Sequence, residues 1–217
     1  VNVIDDKIPE AIPEKGLEGF AELRGSTGSN ERAGAFGLTT GKDNFAFHVE
    51  GLKRRSDDYR VPNWSGGRLN GSFEESTAGS VGMSWIGSRG FLGMAYTNTQ
   101  SEYGLPGHRD EFAGCHPHGS RLHCGGHGDP ADGSDTDAHS HDTGVHAAPF
   151  VRLKSERVDL RGEYRDPFAG VKKVRLRSGF TNYKHEEIEG GVVGTTFKNR
   201  GYDARVEVEH APIGGWR

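Results

Sequence analysis

The sequence predicts an all-β fold, and within it an antiparallel up-and-down transmembrane β-barrel, present in part. Three features carry this expectation. Eight segments alternate polar and apolar residues with a period of two, the mark of strands whose two faces meet different surroundings. Leu, Ile, Val and Phe supply 42 of the 217 residues, close to the level at which an ordinary packed core becomes doubtful. Yet the net charge is only -4, and 11 Phe, 6 Tyr and 3 Trp are spread along the chain, which is not the composition of a disordered segment. A barrel with a wet interior reconciles the two, because half of each strand then stays polar, and the 34 glycines suit its turns and bulges. The third feature is that short and long connections between the segments alternate. Such alternation segregates them to opposite ends of the sheet, as in outer-membrane barrels with short periplasmic turns and long extracellular loops.

Taken in order, residues 1–5 form a short β-type run, and Pro9 and Pro13 make residues 6–16 an extended linker. In residues 17–24, Leu17, Gly19, Ala21 and Leu23 alternate with Glu18, Phe20, Glu22 and Arg24. A polar tip at 26–31 leads into a strand over 32–40. A tight turn at 41–44 then leads to Phe45, Phe47 and Val49, which alternate with Ala46, His48 and Glu50. A polar connection at 56–75 precedes a strand whose Val81, Met83 and Trp85 share a face. The turn at 87–90 opens the next strand, with Leu92, Met94 and Tyr96.

After a long loop at about 103–149, Val158, Leu160 and Tyr164 oppose Arg157, Asp159, Arg161, Glu163 and Arg165. A turn at 166–170 leads to Val174, Leu176 and Phe180 against Lys173, Arg175 and Arg177. A polar loop is expected at 187–193. The last strand sets Tyr202, Ala204, Val206 and Val208 against Asp203, Arg205, Glu207 and Glu209, and a turn at 211–214 ends it. A soluble antiparallel sandwich would alternate too. The three to five charges on one face of each late strand favour a water-filled lumen over a packed core. Trp85 and Tyr96 suit an aromatic girdle or plain strand packing equally well.

No apolar run approaches the roughly 18 residues of a membrane helix, and no signal peptide is recognised. The chain, which begins at Val1 and stops at Arg217, is expected to be an internal piece of a longer protein.

The chemistry concentrates in residues 108–146. Eight of the 11 histidines lie there (His108, His116, His118, His123, His127, His139, His141 and His146), with Cys115, Cys124 and six aspartates. Imidazole, thiolate and carboxylate are the ligands of borderline-soft divalent metals, zinc above all. Without an apolar period, and punctuated by Gly, Pro and Ser, the stretch reads as a long metal-catching loop. The two cysteines could form a disulfide in an oxidising compartment or join a metal site in a reducing one.

Val1-Asn-Val-Ile-Asp-Asp-Lys-Ile-Pro9 resembles the last plug strand of TonB-dependent outer-membrane receptors. Ser29-Asn-Glu-Arg-Ala-Gly34 and Asp57-Asp-Tyr-Arg-Val-Pro62 resemble pieces of their first barrel hairpins. Thr99-Gln-Ser-Glu-Tyr-Gly-Leu-Pro-Gly107, followed by a His-rich loop, is similar to the ZnuD-type zinc receptors of that family. The resemblance implies the end of the plug and a linker at 1–16, and at 17–217 about the first eight strands of a barrel of about 22. It places the protein in the outer membrane of a Gram-negative cell, in contact with lipid. Its implied partners are zinc and the TonB energy-coupling system, which would act through a plug region this chain lacks; no nucleic acid is among them.

On that reading the loop is extracellular and oxidising, so Cys115 and Cys124 form a disulfide that braces His116, His118 and His123. Histidine and carboxylate without thiolate suit an ion that must later leave. His48, on one face with Glu50, marks a possible station in the lumen; His185 and His210 receive no role. Alternatives are haem or iron-chelate uptake by the same fold, since His and Tyr also ligate haem iron, and a soluble metal-binding β-domain. Ligands clustered in a loop rather than on rigid elements around a pocket argue against an enzyme.

Overall fold

The computed structural model describes residues 6–63, 66–106 and 148–211, together with the backbone of 115–118 and 121–124. Among them are ten strands and no helix. They are β1 (Leu17–Ser26), β2 (Glu31–Lys42), β3 (Phe45–Ser56), β4 (Glu74–Gly87), β5 (Gly90–Gly104), β6 (Cys115–His118), β7 (Arg121–Cys124), β8 (Phe150–Phe168), β9 (Val171–Glu189) and β10 (Val192–His210). Eight of them form one antiparallel sheet in the order β1-β2-β3-β4-β5-β8-β9-β10, each strand beside its sequence neighbour except for the step from β5 to β8. The sheet is open: β1 and β10 are its edges.

The eight alternating segments are thus eight strands, but longer than alternation alone marks them. β8, β9 and β10 each run for 19 residues, about 60 Å at strand rise. At one end of the sheet the connections are two residues each, at 43–44, 88–89 and 169–170. Asp43 closes the first with a φ of 55°. At the other end they span 27–30, 57–73, 105–149 and 190–191.

Three expectations need correction here. The loop expected at 187–193 is a two-residue hairpin, because Gly190 and Gly191 take φ values of 56° and 81°, the left-handed pair that matches strand twist. The turn expected at 166–170 is only residues 169–170; β8 continues through Pro167 to Phe168, with a break in register between Arg165 and Phe168 that accommodates the proline. The His-rich stretch is not all loop, since β6 and β7 pair within it. The opening run at 1–5 and the closing turn beyond Ala211 lie outside the described residues.

Register aligns the alternation across the sheet. One face carries Leu38, Val49, Val81, Tyr96, Val158, Phe180 and Tyr202 as a single cross-strand row. The rows nearer the two-residue turns carry Phe47, Met83, Met94 and Leu160, then Phe45, Trp85, Leu92, Leu176 and Val206, and finally Tyr164, Val174 and Val208. These side chains stand uncovered: Phe47 is 50% exposed, Met94 47% and Tyr202 88%. On β8 the band runs from Val158 to Tyr164, about 20 Å along the strand. Toward the long connections it stops at a row containing Asn98, Glu156, Asn182 and Arg200.

The opposite face is polar, and most of the burial lies there. Residues 6–16 cross it. Among the described residues Ile8 is the largest fully buried side chain, and Ala46, Ser84 and Ala95 on the sheet are also buried. The sheet makes room by omitting side chains. A Cβ on Gly82 would meet the Lys7 carbonyl oxygen at 1.8 Å, one on Gly93 would meet Ile8 at 2.5 Å, and one on Gly41 would meet Ile12 at 3.1 Å.

Candidate functional site

Two groups of sequence-predicted site residues fall on described elements, and they lie on different parts of the fold. The first is the hairpin β6-β7. Its register sets Cys115 opposite Cys124, His116 opposite His123, Pro117 opposite Leu122 and His118 opposite Arg121. Directly opposed backbone positions have the Cα separation that a disulfide requires. His108, His127, His139, His141 and His146 lie outside the described residues.

The connection that bears this hairpin leaves the sheet through a closed neck. The Leu105 amide donates to the Pro149 carbonyl at 2.9 Å, and the Gly104 amide to the Phe73 carbonyl at 3.1 Å. Phe73 and Phe150 meet as a tilted ring pair, 6.4 Å between centroids. Gly71, at a φ of 78°, brings its backbone against Gly104, where any Cβ would collide at 2.2 Å. The 57–73 connection is itself pinned to the 27–30 turn by the Asp57 and Arg60 amides, which donate to the Ser29 and Gly28 carbonyls at 2.8 and 2.9 Å.

Beyond the apolar band at this end, ion pairs also tie the strands together. Arg54 donates to Glu31 at 2.8 and 3.0 Å, and Arg24 does so at 2.9 Å. The Arg54 hydrogen bonds, opposed in part by burial and reinforced by Arg24, hold the Glu31 carboxyl below the usual range. Lys184, 2.6 Å from Glu186, lowers that carboxyl in the same way.

The second group is on the polar face. His48 and Glu50 are two apart on β3, so both point to that face, as the alternation predicts. His48 is 7% exposed. Its Nδ1 lies 2.8 Å from Thr39 Oγ1, its cross-strand partner on β2. Its Nε2 lies 3.4 Å from Glu50 Oε2. Ser80 donates to Glu50 Oε1 at 3.1 Å, and Lys7 Nζ stands 3.8 Å from the same oxygen. Sequence reasoning reaches His48 and Glu50 but misses Lys7, Thr39 and Ser80. Their only signal is register and the docking of residues 6–16, which a period of two does not specify.

Further along the polar face the late strands neutralise one another. Arg175 bridges Glu163 at 3.1 Å and Glu207 at 3.5 Å, Arg165 pairs with Glu163 at 2.9 Å, and Arg157 with Asp159 at 2.7 Å. Between these strands and the segment at 6–11 lies a cavity of about 570 Å³, into which Asp6, Glu10, Glu18, Arg161, Arg175 and Arg177 project. His185 meets Tyr183 OH at 3.2 Å and His210 meets the Ala211 carbonyl at 2.7 Å, local contacts that give neither a functional part. Among the described residues no group of three or more His, Cys, Asp or Glu side chains is gathered tightly enough to hold a metal ion. No protein-family model matches the chain.

Proposed function

We propose that this chain is the beginning of the barrel of a TonB-dependent outer-membrane receptor, preceded by the end of its plug, and that it captures zinc through the His-rich connection at 105–149. The observation that carries the reading is the uncovered apolar band. In water, an array that includes Phe45, Phe47, Val81, Met83, Trp85, Leu92 and Met94, each 44–54% exposed, is far larger than the patches soluble monomers tolerate. Against lipid it is the expected exterior, about 20 Å of apolar strand with Tyr96 and Tyr202 at one rim and Trp85 and Tyr164 near the other.

The rest of the fold agrees. Two-residue turns close one end, the periplasmic end on this reading, and the His-rich connection projects from the other. The polar face becomes the lumen wall, and residues 6–16 become the link from plug to barrel. The open edges β1 and β10 are where further strands would pair, since an unpaired edge cannot face hydrocarbon. In the loop, eight histidines with aspartates offer nitrogen and oxygen ligands labile enough for an ion that must move on. A disulfide between Cys115 and Cys124, which stand opposite one another in register, would fix the hairpin that carries His116, His118 and His123.

A competition between zinc and haemin for the detergent-solubilised chain tests the substrate. Zinc is expected to bind and to resist displacement by haemin; tight haemin binding that excludes zinc would replace this reading with haem uptake.

A further inference from the structure

We infer that His48 and Glu50 form a second, weaker zinc station on the polar face, distinct from the His-rich connection. The inference rests on the zinc-receptor reading and adds a step to the ion's route. Its basis is a spacing. Nε2 of His48 and Oε2 of Glu50 are 3.4 Å apart, longer than the roughly 2.9–3.0 Å typical of an N–H···O hydrogen bond. Two ligands each about 2.0–2.1 Å from a tetrahedral zinc ion stand about 3.3–3.4 Å from one another. The weak His48–Glu50 contact therefore stands at a separation that two ligands of one tetrahedral ion also take.

The surroundings fit an ion that pauses and leaves. Thr39 Oγ1, 2.8 Å from His48 Nδ1, serves either tautomer, because a hydroxyl both donates and accepts. When it accepts from Nδ1–H, the Nε2 lone pair is free for metal, the arrangement in which outer partners orient ligating histidines. Ser80 and Lys7 both engage Oε1 of Glu50, leaving Oε2 as the ligand oxygen. Gly82 is the cross-strand neighbour of His48, and its missing Cβ makes way for the Lys7 carbonyl oxygen.

Glu50 is 32% exposed in its side chain, against 5% for His48, so the ion reaches a rigid imidazole through an accessible carboxylate. Two protein ligands completed by water bind more weakly than the closed four-ligand sites that hold structural zinc. Lys7 belongs to the segment at 6–16, so the station sits where that segment is fastened to the sheet.

The test is zinc calorimetry on the full chain with all eight histidines of 108–146 replaced by alanine. One weakly held zinc per chain is expected to remain. Glu50→Gln, which keeps the oxygen that accepts from Ser80, is expected to weaken it at least tenfold, and His48→Gln likewise. Retention of that zinc in both variants, or no zinc in the loop-substituted parent, overturns the station. Failure of the loop reading has a different signature: the natural and loop-substituted chains would titrate alike, whatever Glu50→Gln does.

Discussion

Leu160→Arg separates a lipid-facing sheet from one bathed in water. On β8 the apolar band has rows at Val158, Leu160, Gly162 and Tyr164, so its midline falls between 160 and 162, and Leu160 lies about 3 Å from it along the strand. An arginine at the midplane of a membrane barrel costs about 2–4 kcal/mol. That is a fall of about thirty-fold to nearly a thousand-fold in the folding equilibrium. Asn182→Arg, in the polar row that ends the band, should shift stability by no more than about 0.5 kcal/mol, as an ordinary surface change does. The assay is urea-dependent folding into phosphatidylcholine vesicles, followed by protection of the strands from protease. Leu160 is 36% exposed, so on a water-facing sheet its arginine variant would behave like the control. Equal stability of the two variants would refute the lipid assignment.

Three further outcomes follow from the geometry. Gly82→Ala places a Cβ 1.8 Å from the Lys7 carbonyl oxygen; because the Cβ is fixed to its strand and the oxygen is backbone, residues 6–16 must lift, at about 1–3 kcal/mol. Tryptic cleavage after Lys15 should then accelerate at least fivefold, and an unchanged rate would remove the docking from the account. Replacing both Cys115 and Cys124 by serine should weaken zinc capture by no more than the roughly 2–3 kcal/mol that bridging a ten-residue loop can contribute, while thiol labelling of the unreduced natural chain should find neither cysteine free. Glu31, whose carboxyl Arg54 holds low, contributes stability that is complete above its unfolded value, about 4.3, and is lost as pH falls through the lower folded value. Glu31→Gln should therefore be the less stable chain at neutral pH, with the difference closing on acidification; parallel stability curves would show that the arginine cluster does not depend on that charge.

The strands and their faces were readable because a period of two is a local property. Phe45, Phe47 and Val49 announce one face of β3, and Tyr202, Ala204, Val206 and Val208 one face of β10. Strand length was not readable, because beyond the apolar band the alternation changes phase: on β8, Val151 and Leu153 stand on the face that carries Arg157 and Asp159. The hairpin at 190–191 was obscured by the register shift between Val193 and Thr195, which breaks the alternation just where the turn needed to be recognised. Two histidines, a proline and a cysteine give β6 no apolar phase, so its pairing with β7 left no trace in the pattern. Proximity across the sheet was the least legible. Lys7 and Glu50 are 43 positions apart in sequence, and the glycines at 41, 82 and 93 are what betray that something crosses above them.

The zinc-capture claim is tested most directly by calorimetric titration of zinc into the natural chain and into a chain with His116, His118, His123 and His127 changed to alanine. The account predicts a tight class of sites of low stoichiometry in the first and its loss in the second. Indistinguishable affinity and stoichiometry in the two titrations would contradict it.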